Sequence, residues 1–241
     1  MRSLLPIIAV FGFLPAVVPA LQAQRASVVS IEATDLVEYE TSAEPVKKLI
    51  EISLDLTRRK LGYRFGSNSP EKKGMDCSGT VQHALTTFGF QGVPRSSWDF
   101  YTWAEKAGVL KPTPGVTSTE DPVFADLKPG DLLFWEGTYE TGDRDPPISH
   151  VMIYLGTLKA DGEGVMFGAS SGRRYRGKTI HGVSVFDWEV PKEGSESKFV
   201  GYARIPGIAE SEEPDPNPKV EANLLKSLLD QLFKKSEASR P

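Results

Sequence analysis

Cys77 is the one cysteine in a chain of 241 residues. It stands in Gly74-Met75-Asp76-Cys77-Ser78-Gly79, directly before apolar residues of helical spacing, Val81, Ala84, Leu85 and Phe88. Asp76 suits an N-cap, which puts Cys77 in the first turn of a helix that Gly89 can end. Unpaired backbone N–H groups there favour negative charge, so the position is expected to lower the thiol pKa and raise the thiolate fraction. The competing reading is a small buried hydrophobe, the usual fate of a free cysteine. Flanking Asp, Ser and Gly argue against it, as does an export signal, because an odd cysteine in a secreted chain pairs between molecules or reacts.

A thiol nucleophile needs a base within hydrogen-bond reach, and the chain holds three histidines. His83 lies six residues after Cys77, about 240° around the same helix, so its ring faces away. His181 follows the basic run Arg173, Arg174, Arg176 and Lys178, where a solvated turn is expected. His150 opens an apolar strand in which packing gives no reason for an imidazole, and it is the best candidate.

These side chains need a scaffold. Pro45 at a first helical position, then Val46, Leu49 and Ile50, predicts a helix from Pro45 to Lys60. The alternating Ile52, Leu54 and Leu56 leave its period ambiguous. The cysteine helix follows a Gly- and Ser-rich loop, and Ser96 with Asp99 then marks a capping box for a third helix that stops at Gly108. Lys111 to Asp126, rich in Pro and Gly, reads as an irregular loop. Strands are expected at Leu132–Trp135, Val151–Gly156, Val165–Phe167, Val183–Phe186 and Phe199–Ala203. Helices first and strands later, with no βαβ repeat, predict an α+β domain with an antiparallel sheet.

The two ends read differently. Met1 to Ala23 has a positive start, an apolar run and small residues at its end, the layout of a signal peptide; Pro6, Pro15 and Pro19 break it too often for a membrane span. Residues 24–44 read as a leader with at most a short strand, residues 45–206 as the globular domain, and residues 207–220 as an acidic, Pro-rich linker. Residues 221–236 carry a leucine stripe on a short amphipathic helix, suited to docking on the domain, a partner or a membrane surface. The formal charge of −4 becomes −5 without the signal segment, which gives no footprint for nucleic acid. No metal-ligand spacing, phosphate loop or cofactor motif is present, so no cofactor is expected. A single cysteine excludes intrachain disulfides, and the core must come from packing alone.

Five ordered motifs carry a family resemblance: Tyr63-Arg64-Phe65-Gly66, Asp76-Cys77-Ser78-Gly79, Val93-Pro94-Arg95-Ser96, Leu127-Lys128-Pro129-Gly130-Asp131-Leu132 and Ser149-His150-Val151-Met152-Ile153-Tyr154-Leu155-Gly156. From about Leu49 to Ile205 the chain resembles the NlpC-type cell-wall cysteine peptidases. The resemblance implies a papain-like α+β core, with N-terminal helices packed on an antiparallel sheet. It also implies cleavage of peptidoglycan stem peptides, typically between γ-D-glutamate and diaminopimelate or lysine, by an exported, periplasmic or extracellular enzyme. Carried over, Cys77 is the nucleophile and His150 the base; Tyr63 shapes the oxyanion and substrate pocket, while Asp76 and Ser78 hold the free amino end of the stem. Arg95 matches the family's proline-arginine motif without a catalytic role, and Gly79, Gly130 and Gly156 are expected to be turn residues.

One departure stands out. The family places His, Asn or Gln before an Ala-Ser pair after the histidine strand, and here Gly168 precedes Ala169-Ser170. The third catalytic position is then expected to be served by Ser170, a water above Gly168, or His181. Phe65-Gly66-Ser67 in place of Trp-Gly-Gly is a milder change. An amidase or acyltransferase on the same core, or a pseudoenzyme that binds stem peptides, are the alternatives.

Overall fold

A computed structural model of the protein describes residues 27–208. The expected signal peptide, nearly all of the acidic linker and the C-terminal amphipathic helix lie outside the described residues. Among those described, no helix is long and apolar enough to cross a membrane.

Three helices precede most of the strands. α1 (Glu44–Arg58) has Pro45 in its first turn and buries Leu49, Ile50, Leu54 and Leu56, which settles its ambiguous period as helical. Two short parallel strands, β1 (Gly62–Tyr63) and β2 (Gly74–Met75), lead into α2 (Cys77–Phe88), which has the expected Asp76 cap and ends at Gly89. α3 (Ser97–Lys106) carries the capping box, with reciprocal bonds between Ser96 and Asp99.

β3 (Leu110–Pro112), β4 (Leu132–Glu136), β5 (Ile148–Thr157), β6 (Gly164–Ser170), β9 (Gly182–Asp187) and β10 (Lys198–Ala203) form one antiparallel sheet in the order β3-β10-β4-β5-β6-β9. A small hairpin, β7 (Arg174–Tyr175) with β8 (Lys178–Thr179), projects between β6 and β9. All five expected strands are present. β3 was expected to be loop; it forms because an edge strand tolerates Pro112.

The helices pack on one sheet face, where Phe134, Val151, Ile153, Phe167 and Val185 meet Leu49, Leu54, Val81 and Phe100. The other face is also buried: Leu133, Trp135, Met152, Tyr154 and Phe186 lie under Phe124, Trp188 and Phe199. Double coverage explains why β4 and β5 read as unbroken apolar runs rather than alternating ones. The stretch read as a leader is stitched to this unit from Ser27 onward. Val29 hydrogen-bonds Ser184 and Val185, and Leu36 is fully buried. In the Leu127–Leu132 motif, Asp131 is buried, accepting from the Lys128 N–H and, at 2.7 Å, from Arg204.

Candidate active site

The site is built around the start of α2. Asp76 Oδ1 accepts the Gly79 N–H at 2.6 Å, and Oδ2 accepts the Gly66 N–H at 2.8 Å. Pairing of β1 with β2, continued by the Arg64 N–H to Met75 O, holds Tyr63 beside the turn into Cys77. Gly79 is not a turn residue as expected: it lies inside α2, and a Cβ there would sit 2.2 Å from the Ser67 carbonyl oxygen. The 66–68 loop can cross the helix start only over a glycine.

Arg95 closes this corner. Its guanidinium grips Asp76 in a fork, 2.8 Å to Oδ2 and 3.1 Å to Oδ1, and reaches Ser78 Oγ at 3.0 Å. The two Arg95 bonds and the two backbone donors fill the roughly four acceptor sites of a carboxylate, and Ser78 Oγ adds a longer bond to Oδ1 at 3.4 Å. An incoming ammonium therefore reaches Asp76 only by displacing a bond from Arg95.

Cys77 is 5% exposed, and the backbone N–H groups of Val151, Ser78 and Cys77 itself favour charge on its sulfur. Val151 directly follows His150, so α2 and β5 bring the two candidate residues to the same end of the sheet. The expected lowering of the thiol pKa is not found. Burial, then the Asp76 charge, push the thiol up to about 11 and outweigh those donors. His150 is held well below the usual imidazole range, first by burial and then by the Arg173 charge. Both shifts favour the uncharged forms of thiol and imidazole. Burial, with the Cys77 and Asp76 charges, also raises the Tyr63 hydroxyl, which keeps it a donor.

The His150 ring lies on the sheet face of Trp135, with ring centres 5.7 Å apart, and among the described residues its buried Nε2 has no partner. The expected supports for that nitrogen take other parts. Extending the β5–β6 register, Ile153 to Phe167 and Tyr154 to Met166, puts Ser170 across from His150. The Ser170 hydroxyl, however, accepts the Gly172 and Arg173 N–H groups, each at 3.3 Å. The space above Gly168 is filled by Met152, whose Cε would lie 2.9 Å from an added Cβ. His181 is half-buried and bridges through its backbone to Ser27. His83 faces the groove between α1 and α2 and is remote from the site, as expected.

An open cleft of about 840 Å³ runs past His150, Tyr63 and Ser170. Its far wall is the Glu189–Ser197 connection, and Phe65, 71% exposed, stacks edge-on with Tyr139 at its mouth. Sequence reasoning missed Arg173, whose guanidinium lies 4.0 Å from the centre of the Trp135 ring in this cleft. The only sequence signal was its place in the basic run. Among the described residues, no cluster of His, Cys, Asp or Glu is arranged to hold a metal ion.

A buried thiol at a helix N-terminus, an uncharged imidazole on the adjacent strand and an open cleft can together support nucleophilic acyl transfer. Part of the chain, 94 residues at 32% identity, is similar to a γ-DL-glutamyl hydrolase of Bacillus subtilis (strain 168), covering 39% of this chain and 18% of that protein. The chain thus spans about a fifth of the length of this curated relative. Two solved structures are similar: a lipoprotein-like NLP/P60 family protein from Staphylococcus aureus subsp. aureus Mu50 (20% identity, TM-score 0.41, 74% of this chain and 44% of that one) and an NlpC/P60 endopeptidase from Photobacterium damselae subsp. piscicida (15% identity, TM-score 0.38, 60% and 36%). The model of the NlpC/P60 family matches residues 60–184, a span from just before Tyr63 to β9 that takes in Cys77, His150 and Gly168, and the chain accordingly belongs to that family.

Proposed function

We propose that the protein is an exported cysteine endopeptidase that hydrolyses peptidoglycan stem peptides at the γ-D-glutamyl–diamino acid bond. Membership of the NlpC/P60 family supports a cell-wall peptidase, and the name of the Bacillus subtilis relative supports γ-glutamyl chemistry. The observation that carries the assignment is the meeting of the Cys77 sulfur with the Val151 N–H, one residue from His150, beside the cleft that His150 and Tyr63 line.

In the proposed mechanism His150 takes the proton from the Cys77 thiol as sulfur attacks the γ-carbonyl carbon. The tetrahedral oxyanion forms near the N–H groups at the start of α2 and the Tyr63 hydroxyl, donors fixed before reaction. Its collapse breaks the C–N bond, and His150 returns the proton to the leaving amine. Water then hydrolyses the Cys77 thioester by the reverse proton path, releasing the γ-carboxylate. Asp76 and Ser78 are the proposed seat of the stem peptide's free amine, shared with Arg95. Residues 221–236, outside the described residues, are a proposed contact with a partner or a membrane surface.

A second reading, a catalytically weak stem-peptide binder, is favoured by the unpartnered His150 Nε2 beside Gly168. Digestion of purified sacculi, with products weighed by mass spectrometry, separates these readings. New free γ-D-glutamyl ends support the endopeptidase. Stems released whole from the sugar indicate an amidase, and binding without products indicates the weak binder.

A further inference from the structure

We propose that Arg173 is a carboxylate-recognition residue of the cleft, reading the free α-carboxylate that a γ-linked glutamate presents beside the scissile bond. The inference rests on the function proposed above. Arg173 lines the cleft together with His150 and Ser170. Its position is fixed from both sides, because its N–H donates to Ser170 Oγ and its carbonyl accepts the Ile180 N–H at the base of the β7–β8 hairpin. Its guanidinium carbon lies over the ring of the buried Trp135, 4.0 Å from the ring centre, a contact that restrains the donor fork at the cleft wall.

Among the described residues this guanidinium has neither an ion pair within 4.0 Å nor a hydrogen-bonded acceptor. Glu189, its main acidic neighbour, acts only through its field. A half-buried arginine with an unused planar fork is built for a planar anion, and a carboxylate takes two parallel N–H bonds from it. The neighbouring Arg174 is exposed, as are the cleft acids Glu189 and Glu196, so solvent screens their charges more strongly.

The substrate chemistry fits this donor. An ordinary α-peptide bond uses the α-carboxyl, whereas a γ-glutamyl bond leaves it free, three carbons from the carbonyl under attack. The same carboxylate has a second effect. Arg173 opposes positive charge on His150, and a bound anion offsets that opposition as the imidazole takes the thiol proton.

The test compares the full-length wild type with Arg173→Met, which keeps the apolar stem, and Arg173→Lys, which keeps the charge without the fork. Three stem peptides are used: γ-D-glutamyl-diaminopimelate, its glutamate α-amide, and the form with lysine in place of diaminopimelate. In parallel, L-alanyl-γ-D-glutamate and its α-amide are titrated into Cys77→Ala. Charge-assisted bonds of this kind predict that wild type prefers the acid over the α-amide by about 10- to 100-fold, mainly in KM. Arg173→Met should reduce that preference to within about twofold with an unchanged melting temperature, and Arg173→Lys should retain part of it.

An unchanged preference in Arg173→Met overturns the proposal. A preference that instead follows diaminopimelate over lysine overturns the glutamate assignment and moves the carboxylate to the leaving side. If no peptide is cleaved but Cys77→Ala binds the acid over the amide, and Cys77→Ala with Arg173→Met does not, the endopeptidase reading falls and the carboxylate site stands. If there is neither cleavage nor binding, both fall.

Discussion

Gly168→His restores one of the residues (His, Asn or Gln) that the family resemblance leads one to expect at the third catalytic position, yet the structure predicts a loss. A Cβ at Gly168 would stand 2.9 Å from Met152 Cε, 3.1 Å from Cγ and 3.5 Å from Cβ. The Cε end can swing aside, but Cγ is one bond from the root of a fully buried side chain in β5. An imidazole must therefore displace Met152 or be pushed away from His150. Overpacking of this kind costs about 1–3 kcal/mol of stability. Turnover should not rise, because the new ring cannot settle against the unpartnered His150 Nε2. Met152→Ala alone should cost about 2–5 kcal/mol through the cavity it leaves. Together the two changes should be less destabilising than their sum by at least about 1 kcal/mol, since the imidazole fills the space the thioether vacated. Turnover of the double variant should exceed that of Met152→Ala once Nε2 has a partner. Urea unfolding of the four proteins, with turnover on one stem peptide, measures both effects. A Gly168→His protein within about 0.5 kcal/mol of wild type, and at least as fast, would refute the reasoning: Met152 would then yield freely.

Arg95→Met should lower stability by about 1–3 kcal/mol in urea unfolding, because it leaves the buried Asp76 carboxylate with two backbone donors and a long bond from Ser78 Oγ. That range is discounted because the arginine side of the pair is 37% exposed, and a loss below about 0.5 kcal/mol would remove Arg95 from any role in holding the α2 cap. The acid limb of kcat/KM should fall below pH 6.5, since activity needs neutral His150, and burial with Arg173 keeps the ring neutral to lower pH. A half-maximal rate at or above pH 6.5 contradicts that. Alkylation of free Cys77 by iodoacetamide should be slow at neutral pH and climb towards its pKa of about 11. Fast, pH-independent alkylation between pH 5 and 7 would instead indicate a resting thiolate–imidazolium pair.

Local signals in the chain carried the secondary structure well. Asp76 and Gly89 bracket α2 because capping and positive φ are properties of single residues, and Ser96 with Asp99 does the same for α3. The five apolar runs became strands because both sheet faces are covered. The α+β core with its antiparallel sheet and the family were legible for the same reason, in motifs short enough to read locally. What depends on distant packing was not legible. The leader joins the fold through Ser184 and Val185, about 155 residues away. The thiol pKa was misjudged because the helix-terminus effect is local, while burial of Cys77 depends on strands from the other half of the chain. Arg173 read as part of a solvated basic turn because its partner, Trp135, lies on β4, two strands from β6 in the sheet. The space above Gly168 looked open only because the sequence does not show where Met152 points.

The central claim is that Cys77 forms a covalent acyl-enzyme with the γ-carbonyl of glutamate. The most direct measurement is the intact mass of the full-length protein after acid quench during turnover of L-alanyl-γ-D-glutamyl-diaminopimelate, followed by peptide mapping. The account predicts a transient adduct of one L-alanyl-γ-D-glutamyl group, mapped to Cys77 and absent from Cys77→Ala, which should also release no diaminopimelate. Sustained cleavage by Cys77→Ala, or an adduct mapped to another residue, would contradict it.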